Sequence, residues 1–329
     1  MTQPIPPGTR DVLPDEMREL RALTETLRVA FEAAGYGEVW TPALEYEEVL
    51  RTGDERAAGA ALRLFDERGQ VLALRSDMTI PIARVVATRY RDAEPPFRLC
   101  YFAHAYRTLE RGRAQPREFL QGGLELIGME PPEGDAEVIE LIASALDAAG
   151  LRRHRIGVGD ASLYRTLLAT LQVPDDEHLP LLEQLARRNL VGLAARVERL
   201  ALGPAERDLL TRLPELRGGP EVLGRAGGPV AGAVENLRGV HEVLAERGAA
   251  DRLIFDLGLV RELGYYTGAV FEVYDPAVGF ALGGGGRYDE LIGRFGRELP
   301  ACGVSLDVQR VHLAQAAEER LAATAGAER

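Results

Sequence analysis

The stretch HAYRTLERGRAQPREFLQGGLELIG, residues 104–128, sets the reading of the whole chain. Two runs with strand-like alternation flank a turn crowded with charge, which predicts a hairpin and with it an antiparallel sheet, since strands joined by a short turn cannot run parallel. Alternation puts Gln121, Gly123 and Glu125 on one face of the second run, and Leu120, Leu124 and Leu126 on the other. On the first run Ala103, Ala105 and Arg107 share a face, so a guanidinium stands at the end of a floor of small residues. The pattern fits a pocket over the sheet. It also fits a solvated sheet face with cross-strand Arg–Glu pairs.

Outward from the hairpin, EVWTPALEY (38–46) and LRLFDERGQVLALRSDMT (62–79) also read as strands or hairpins. TIPIARVVATRYRD (79–92) and GDAEVIELIASALDAAG (134–150) have helical texture. Residues 15–34 place Met17, Leu20, Leu23, Leu27, Phe31 and Ala34 at helical spacing, with Asp15 and Glu16 in the first turn and Gly35 as the stop. From about 172 to 250 the chain turns to Leu, Ala, Glu and Arg with helical periodicity. Strand signals return in 251–286, a helix is expected from Arg287, and a last strand and helix follow from 301. The expected class is therefore α+β, with a core over 1–171 and 251–321, a helical insertion at 172–250 and a flexible tail at 322–329.

The totals narrow the function. The 329 residues carry a net charge of -12, which disfavours a broad nucleic-acid surface. The two cysteines, Cys100 and Cys302, supply no disulfide framework and no paired-cysteine zinc site, and a reducing cytoplasm fits them. No lysine occurs, which excludes a Schiff base and the lysine of a phosphate loop. The five histidines form no short-range metal-ligand pair. No signal core or membrane-spanning run is apparent, so neither secretion nor membrane insertion is expected.

Two further stretches suggest a ligand. In LVRELGYYTGAVFE (259–272) Tyr266 and Gly268 face one way, and the missing side chain would leave room beside the phenol. A core tyrosine beside a bulge glycine would read the same. In GGGGRYDELIG (283–293) four glycines run toward an expected helix start, where backbone can approach a ligand closely; a hairpin exit is the plainer alternative.

GTRDVLP (8–14), LRSDMT (74–79), the Arg107-to-Glu125 hairpin, LVRELGYYTG and GGGGRYDELIG occur in the order found in one family. Over essentially its whole length the chain resembles the histidyl-tRNA synthetases and their paralogues, the regulatory subunits of ATP phosphoribosyltransferase. The resemblance implies the class II synthetase core, an antiparallel sheet flanked by helices that usually dimerises. It also implies a histidine site. Asp77, Thr79 and Gln121 would receive the α-ammonium group, and Arg261 would sit near the carboxylate. Glu125 and Tyr266 would bond the imidazole, Tyr288 would help close the site, and Arg107 and Tyr265 complete the expected set.

Within that family the departures point to the regulators. Leu109 stands where a synthetase has a glutamate that helps fix adenine, and leucine accepts no hydrogen bond. Gln115 replaces an arginine, Asp77 replaces a glutamate in the manner of the regulatory subunits, and Asp307 and Gln309 replace glycine and glutamate around Arg310. Fewer than about twenty residues follow Arg310, short of an anticodon-binding domain. The implied protein is non-catalytic and needs no cofactor, since magnesium serves the partner. It binds histidine and the short-form catalytic subunit, works as a homodimer within a cytoplasmic hetero-oligomer, and engages neither nucleic acid nor membrane. The alternatives are a histidine-activating ligase and a truncated synthetase, because Arg107, Arg261 and Arg310 hold the positions of phosphate-binding arginines.

Overall fold

The computed structural model describes residues 5–108, 116–261 and 264–327; Leu109 and Gln115 lie outside them. Its first half contains α1 (Pro14–Ala33), β1 (Gly37–Glu38), β2 (Leu44–Tyr46), α2 (Glu47–Gly53), α3 (Glu55–Ala60), β3 (Arg63–Phe65), β4 (Val71–Leu74), α4 (Thr79–Arg89), β5 (Phe97–Tyr106), β6 (Glu118–Ile127) and α5 (Glu133–Ala148). Then come β7 (Arg155–Asp160), α6 (Ala161–Thr170), α7 (Asp175–Ala186), α8 (Leu190–Val197), α9 (Pro204–Arg212), β8 (Arg217–Gly218), α10 (Ala231–Glu246), β9 (Leu253–Asp256), β10 (Ala269–Tyr274), β11 (Ala281–Arg287), β12 (Ala301–Asp307) and α11 (Val308–Ala327). The last helix runs on past Ala322.

Nine strands form one sheet in the order β1-β5-β6-β12-β11-β10-β7-β9-β8. The sheet is not wholly antiparallel, because β1 pairs β5 and β7 pairs β9 in parallel. Both parallel pairs are reached by long excursions through helices, a connection that short-turn reasoning cannot anticipate. The central hairpin is antiparallel, with Ala103 opposite Gln121 and Leu99 opposite Glu125. Its two faces then separate two cores.

Leu124 and Leu126 point into the larger core, with Leu20, Leu27 and Phe31 of α1 and Ile139, Ile142 and Leu146 of α5. Helix α1 begins with Pro14 in its first turn and ends at Gly35, whose φ of +84° suits glycine. The helical stretch between α6 and β9 adds Leu185, Leu193, Val197 and Leu237 to the same core. On the opposite face Tyr101, Tyr265, Tyr266 and Tyr288 pack with Met78 and Ile80 in a second cluster, and the cleft lies there.

A three-stranded sheet, β2-β4-β3, sits apart from the main one. Leu44 pairs Leu74, and Tyr46 and Leu64 both pair Leu72, so these side chains share one face. Leu44, Tyr46 and Leu64 are exposed there, and Trp40, just before β2, is 90% exposed.

The segment after the glycine run corrects an expectation. Gly283–Gly286 form the middle of β11, between β10 and β12, and no α-helix starts at Arg287. A Cβ at Gly285 would come within 1.9 Å of the Gly303 carbonyl oxygen, so strand packing excludes any other residue.

Candidate functional site

A cleft of about 860 Å³ opens over β6, β11 and β12. Asp77, Thr79, Arg107, Gln121, Arg261, Tyr265, Tyr266 and Tyr288 line it together. Glu125 lies just beneath, 1% exposed, and reaches the wall through Thr79 and Tyr288.

Asp77 stands at the junction of β4 and α4. Its Oδ1 accepts the Ile80 backbone N–H at 3.0 Å, which fixes the carboxylate at the first turn of the helix. Its Oδ2 is buried and accepts no hydrogen bond from the described residues. Burial, together with the charge of Asp54, pushes the Asp77 carboxyl up to about 6. An acceptor held this way suits a cationic ligand group, which would supply both the missing bond and the missing charge. Gln121 beside it is already committed, accepting from the Met78 backbone N–H at 3.2 Å and donating to Ser305 Oγ at 2.9 Å.

Glu125 is more heavily bonded. Thr79 Oγ1 donates to Oε1 at 2.7 Å, the Tyr101 phenol reaches the same oxygen at 3.3 Å, and the Tyr288 phenol donates to Oε2. Burial still raises this carboxyl to about 7, against the pull of those hydroxyls. Tyr265 links the phenols, with ring centroids 4.8 Å from Tyr266 and 5.8 Å from Tyr288.

The spaces left by two missing side chains are filled. A Cβ at Gly123 would meet the Tyr101 hydroxyl at 2.6 Å, so Tyr101 occupies that space. A Cβ at Gly268 would meet the Arg287 side chain at 3.2 Å, so Arg287 takes the space that the missing side chain leaves. Close approach of a side chain to glycine backbone occurs at Gly284 instead, where a Cβ would lie 2.4 Å from Arg261 Nη1. Arg261 crosses that strand toward Glu272, 3.6 Å away.

The cationic residues divide the cleft. Arg107 stacks on Phe119 with its guanidinium carbon 4.0 Å from the ring centroid. Arg310 donates to the Ala281 carbonyl oxygen at 2.8 Å and pairs with Asp307 at 3.3 Å. Arg165 and Arg187, from α6 and the end of α7, complete the outer wall with Glu183. Tyr101, Ser305 and this helical wall were not legible in the sequence: Tyr101 sits in an apolar strand run, and the wall comes from a region distant along the chain. Among the described residues no group of three His, Cys, Asp or Glu could hold a metal, and no helix is long and apolar enough to cross a membrane.

The raised carboxyls make a prediction about stability. Between their unfolded and folded values the native chain binds more protons than the unfolded chain, so these groups withdraw stability as pH rises from about 4 to about 7. At about 1.4 kcal/mol for each pH unit of separation, the two together are worth about 6 kcal/mol. Asp77→Asn should flatten this part of the pH profile of the melting temperature. A profile as steep as wild type would contradict the burial assigned to Asp77.

Comparison with known proteins adds the following. The family model described as histidyl-tRNA synthetase matches residues 8–311. The ATP phosphoribosyltransferase regulatory subunit of Desulforamulus reducens is 40% identical over 313 residues, 94% of this chain and 78% of that protein. That of Symbiobacterium thermophilum is 41% identical over 334 residues, 98% and 82%. A crystal structure of an ATP phosphoribosyltransferase regulatory subunit/histidyl-tRNA synthetase from Bacillus halodurans superposes with a TM-score of 0.89 at 33% identity, covering 96% of this chain and 84% of that one. A histidine–tRNA ligase subunit from Alicyclobacillus acidocaldarius gives 0.85 at 34%, covering 97% and 99%.

Proposed function

The chain belongs to the histidyl-tRNA synthetase family, with the class II synthetase fold and among its ATP phosphoribosyltransferase regulatory subunits, and from that premise we propose that it binds free histidine in the cleft and conveys feedback inhibition to a short-form catalytic subunit. The observation that carries this reading is the pairing of two buried carboxylates of different character. Asp77 keeps an unbonded oxygen on the cleft wall, where an α-ammonium group would fit. Glu125, ringed by hydroxyls and close enough to Tyr266 for its charge to be felt there, suits an imidazole N–H. Arg261, close against Gly284, would meet the carboxylate.

In this reading the chain is non-catalytic and cytoplasmic, two copies of it enter a hetero-oligomer with the catalytic subunit, and any magnesium serves that partner. Histidine inhibits only by binding the inhibited assembly more tightly than the active one, a coupling of about 1–3 kcal/mol. The test is phosphoribosyl-ATP formation by the short-form catalytic subunit, with and without this chain, over a histidine titration. The rate should change on adding the chain, and inhibition should require it. A catalytic subunit equally active and equally inhibited alone would refute the proposal.

Arg107, Arg261 and Arg310 among the residues lining the cleft favour a second reading, histidine activation by ATP, as in a ligase or a truncated synthetase. Histidine-dependent exchange of pyrophosphate into ATP would establish it; its absence under conditions that support histidine binding would remove it.

A further inference from the structure

The acceptor at the floor of the cleft is held by parts of the chain far apart in sequence. Thr79 comes from the start of α4, Tyr101 from β5 and Tyr288 from the segment after β11, and all three hydroxyls meet on Glu125 of β6. Tyr101 is wholly buried and fills the space opposite Gly123, its register partner. On the other side Glu125 lies against Gly303 of β12, where a Cβ would come within 1.7 Å of Oε2. Backbone on one side and hydroxyls on the other leave the carboxylate a single position. The titratable groups facing it are Asp77 on the α4 side, Tyr265 and Tyr266 from the segment before β10, Cys302 of β12, and the phenols of Tyr101 and Tyr288. Among the described residues the groups that hydrogen-bond Glu125 are hydroxyls, so these donors hold its charge.

We propose that Tyr101, with Tyr288, is a positioning residue for ligand recognition: its phenol holds Glu125 as a fixed anionic acceptor, so the site selects a ligand whose ring presents an N–H. This rests on the histidine reading of the cleft for the identity of the ligand, but not for the behaviour of Glu125. Tyr101→Phe keeps the ring that fills the Gly123 space and removes only the donor.

Two measurements decide it. In protein labelled with carboxyl-¹³C glutamate, the Glu125 signal, assigned through Glu125→Gln, should titrate near 7 in wild type. In Tyr101→Phe its midpoint should move up by about one pH unit, the effect of losing one hydroxyl donor to a buried carboxylate. By calorimetry, Tyr101→Phe should bind histidine roughly tenfold more weakly at pH 7, with the loss shrinking at higher pH as the carboxylate is recovered. Of the two ring-N-methylated histidines, at least one should fail to bind wild type. An unmoved Glu125 midpoint, or wild-type affinity and pH dependence in Tyr101→Phe, would overturn the proposal, as would equal binding of both methylated ligands and histidine. If wild type binds no histidine, the histidine reading fails, and the carboxyl titration still decides whether Tyr101 governs Glu125.

Discussion

Replacing Arg287 with methionine should lower the folding stability by about 3–5 kcal/mol, the largest effect expected of any single substitution outside the sheet glycines. Arg287 is 2% exposed and Asp135 is fully buried. The guanidinium meets Asp135 through Nε and Nη2, both at 2.9 Å, and through Nη1 reaches Asp289 at 2.9 Å and the Met129 carbonyl oxygen at 3.2 Å. Methionine matches much of the volume but leaves the Asp135 carboxylate buried without its partner, and an unpaired buried charge costs more than the pair contributes. Adding Asp135→Asn to Arg287→Met should therefore recover more than half of the loss. Urea denaturation of the two variants checks this, and a double variant no more stable than the single one would show that packing, not charge, dominates. The cleft should suffer too, because Tyr288 follows Arg287 directly and carries the hydroxyl that bonds Glu125.

Glu125→Gln should weaken histidine binding by about 1.5–3 kcal/mol, the range for a hydrogen bond to a charged group, or roughly 10- to 150-fold in Kd. The amide keeps the volume and one acceptor oxygen but turns a donor toward groups that already donate. Glu125→Ala is the harsher change, since it strips Thr79, Tyr101 and Tyr288 of their acceptor and should also lower the melting temperature. Tyr266→Phe, which removes one hydroxyl at the edge of this cluster, should cost less affinity than either. Calorimetric titration of the three variants with histidine gives the order, and a Glu125→Gln protein with wild-type affinity would remove Glu125 from the site.

The sequence made some of this legible and hid the rest for physical reasons. Helix α1 could be read from the spacing of Leu20, Leu23, Leu27 and Phe31 because one face is buried and the other wet. The β5–β6 hairpin could be read because its two faces differ, Leu124 and Leu126 against Gln121 and Glu125. The glycines fell within a stretch read as strand, and neighbouring backbone at Gly303 and Ser305 demands glycine there, but the helix expected from Arg287 does not form. The parallel pairing of β7 with β9 depends on a long helical excursion that no local pattern encodes. Asp77 and Thr79, at a strand–helix junction, have no periodic signature and were found through the family resemblance. Tyr101 looked like one more apolar strand residue until its register opposite Gly123 was known.

Trp40 gives this chain an optical property that follows from where it sits. It is the sole tryptophan in the sequence, 90% exposed, in the segment that leads into β2, and it does not line the cleft. Its fluorescence therefore reports on one patch of surface: emission characteristic of water when the patch is bare, shifted to the blue by anything that settles over it. Trp40 does not line the cleft, so a small molecule held there should leave the emission unchanged, whereas a macromolecule settling over Trp40 should shift it.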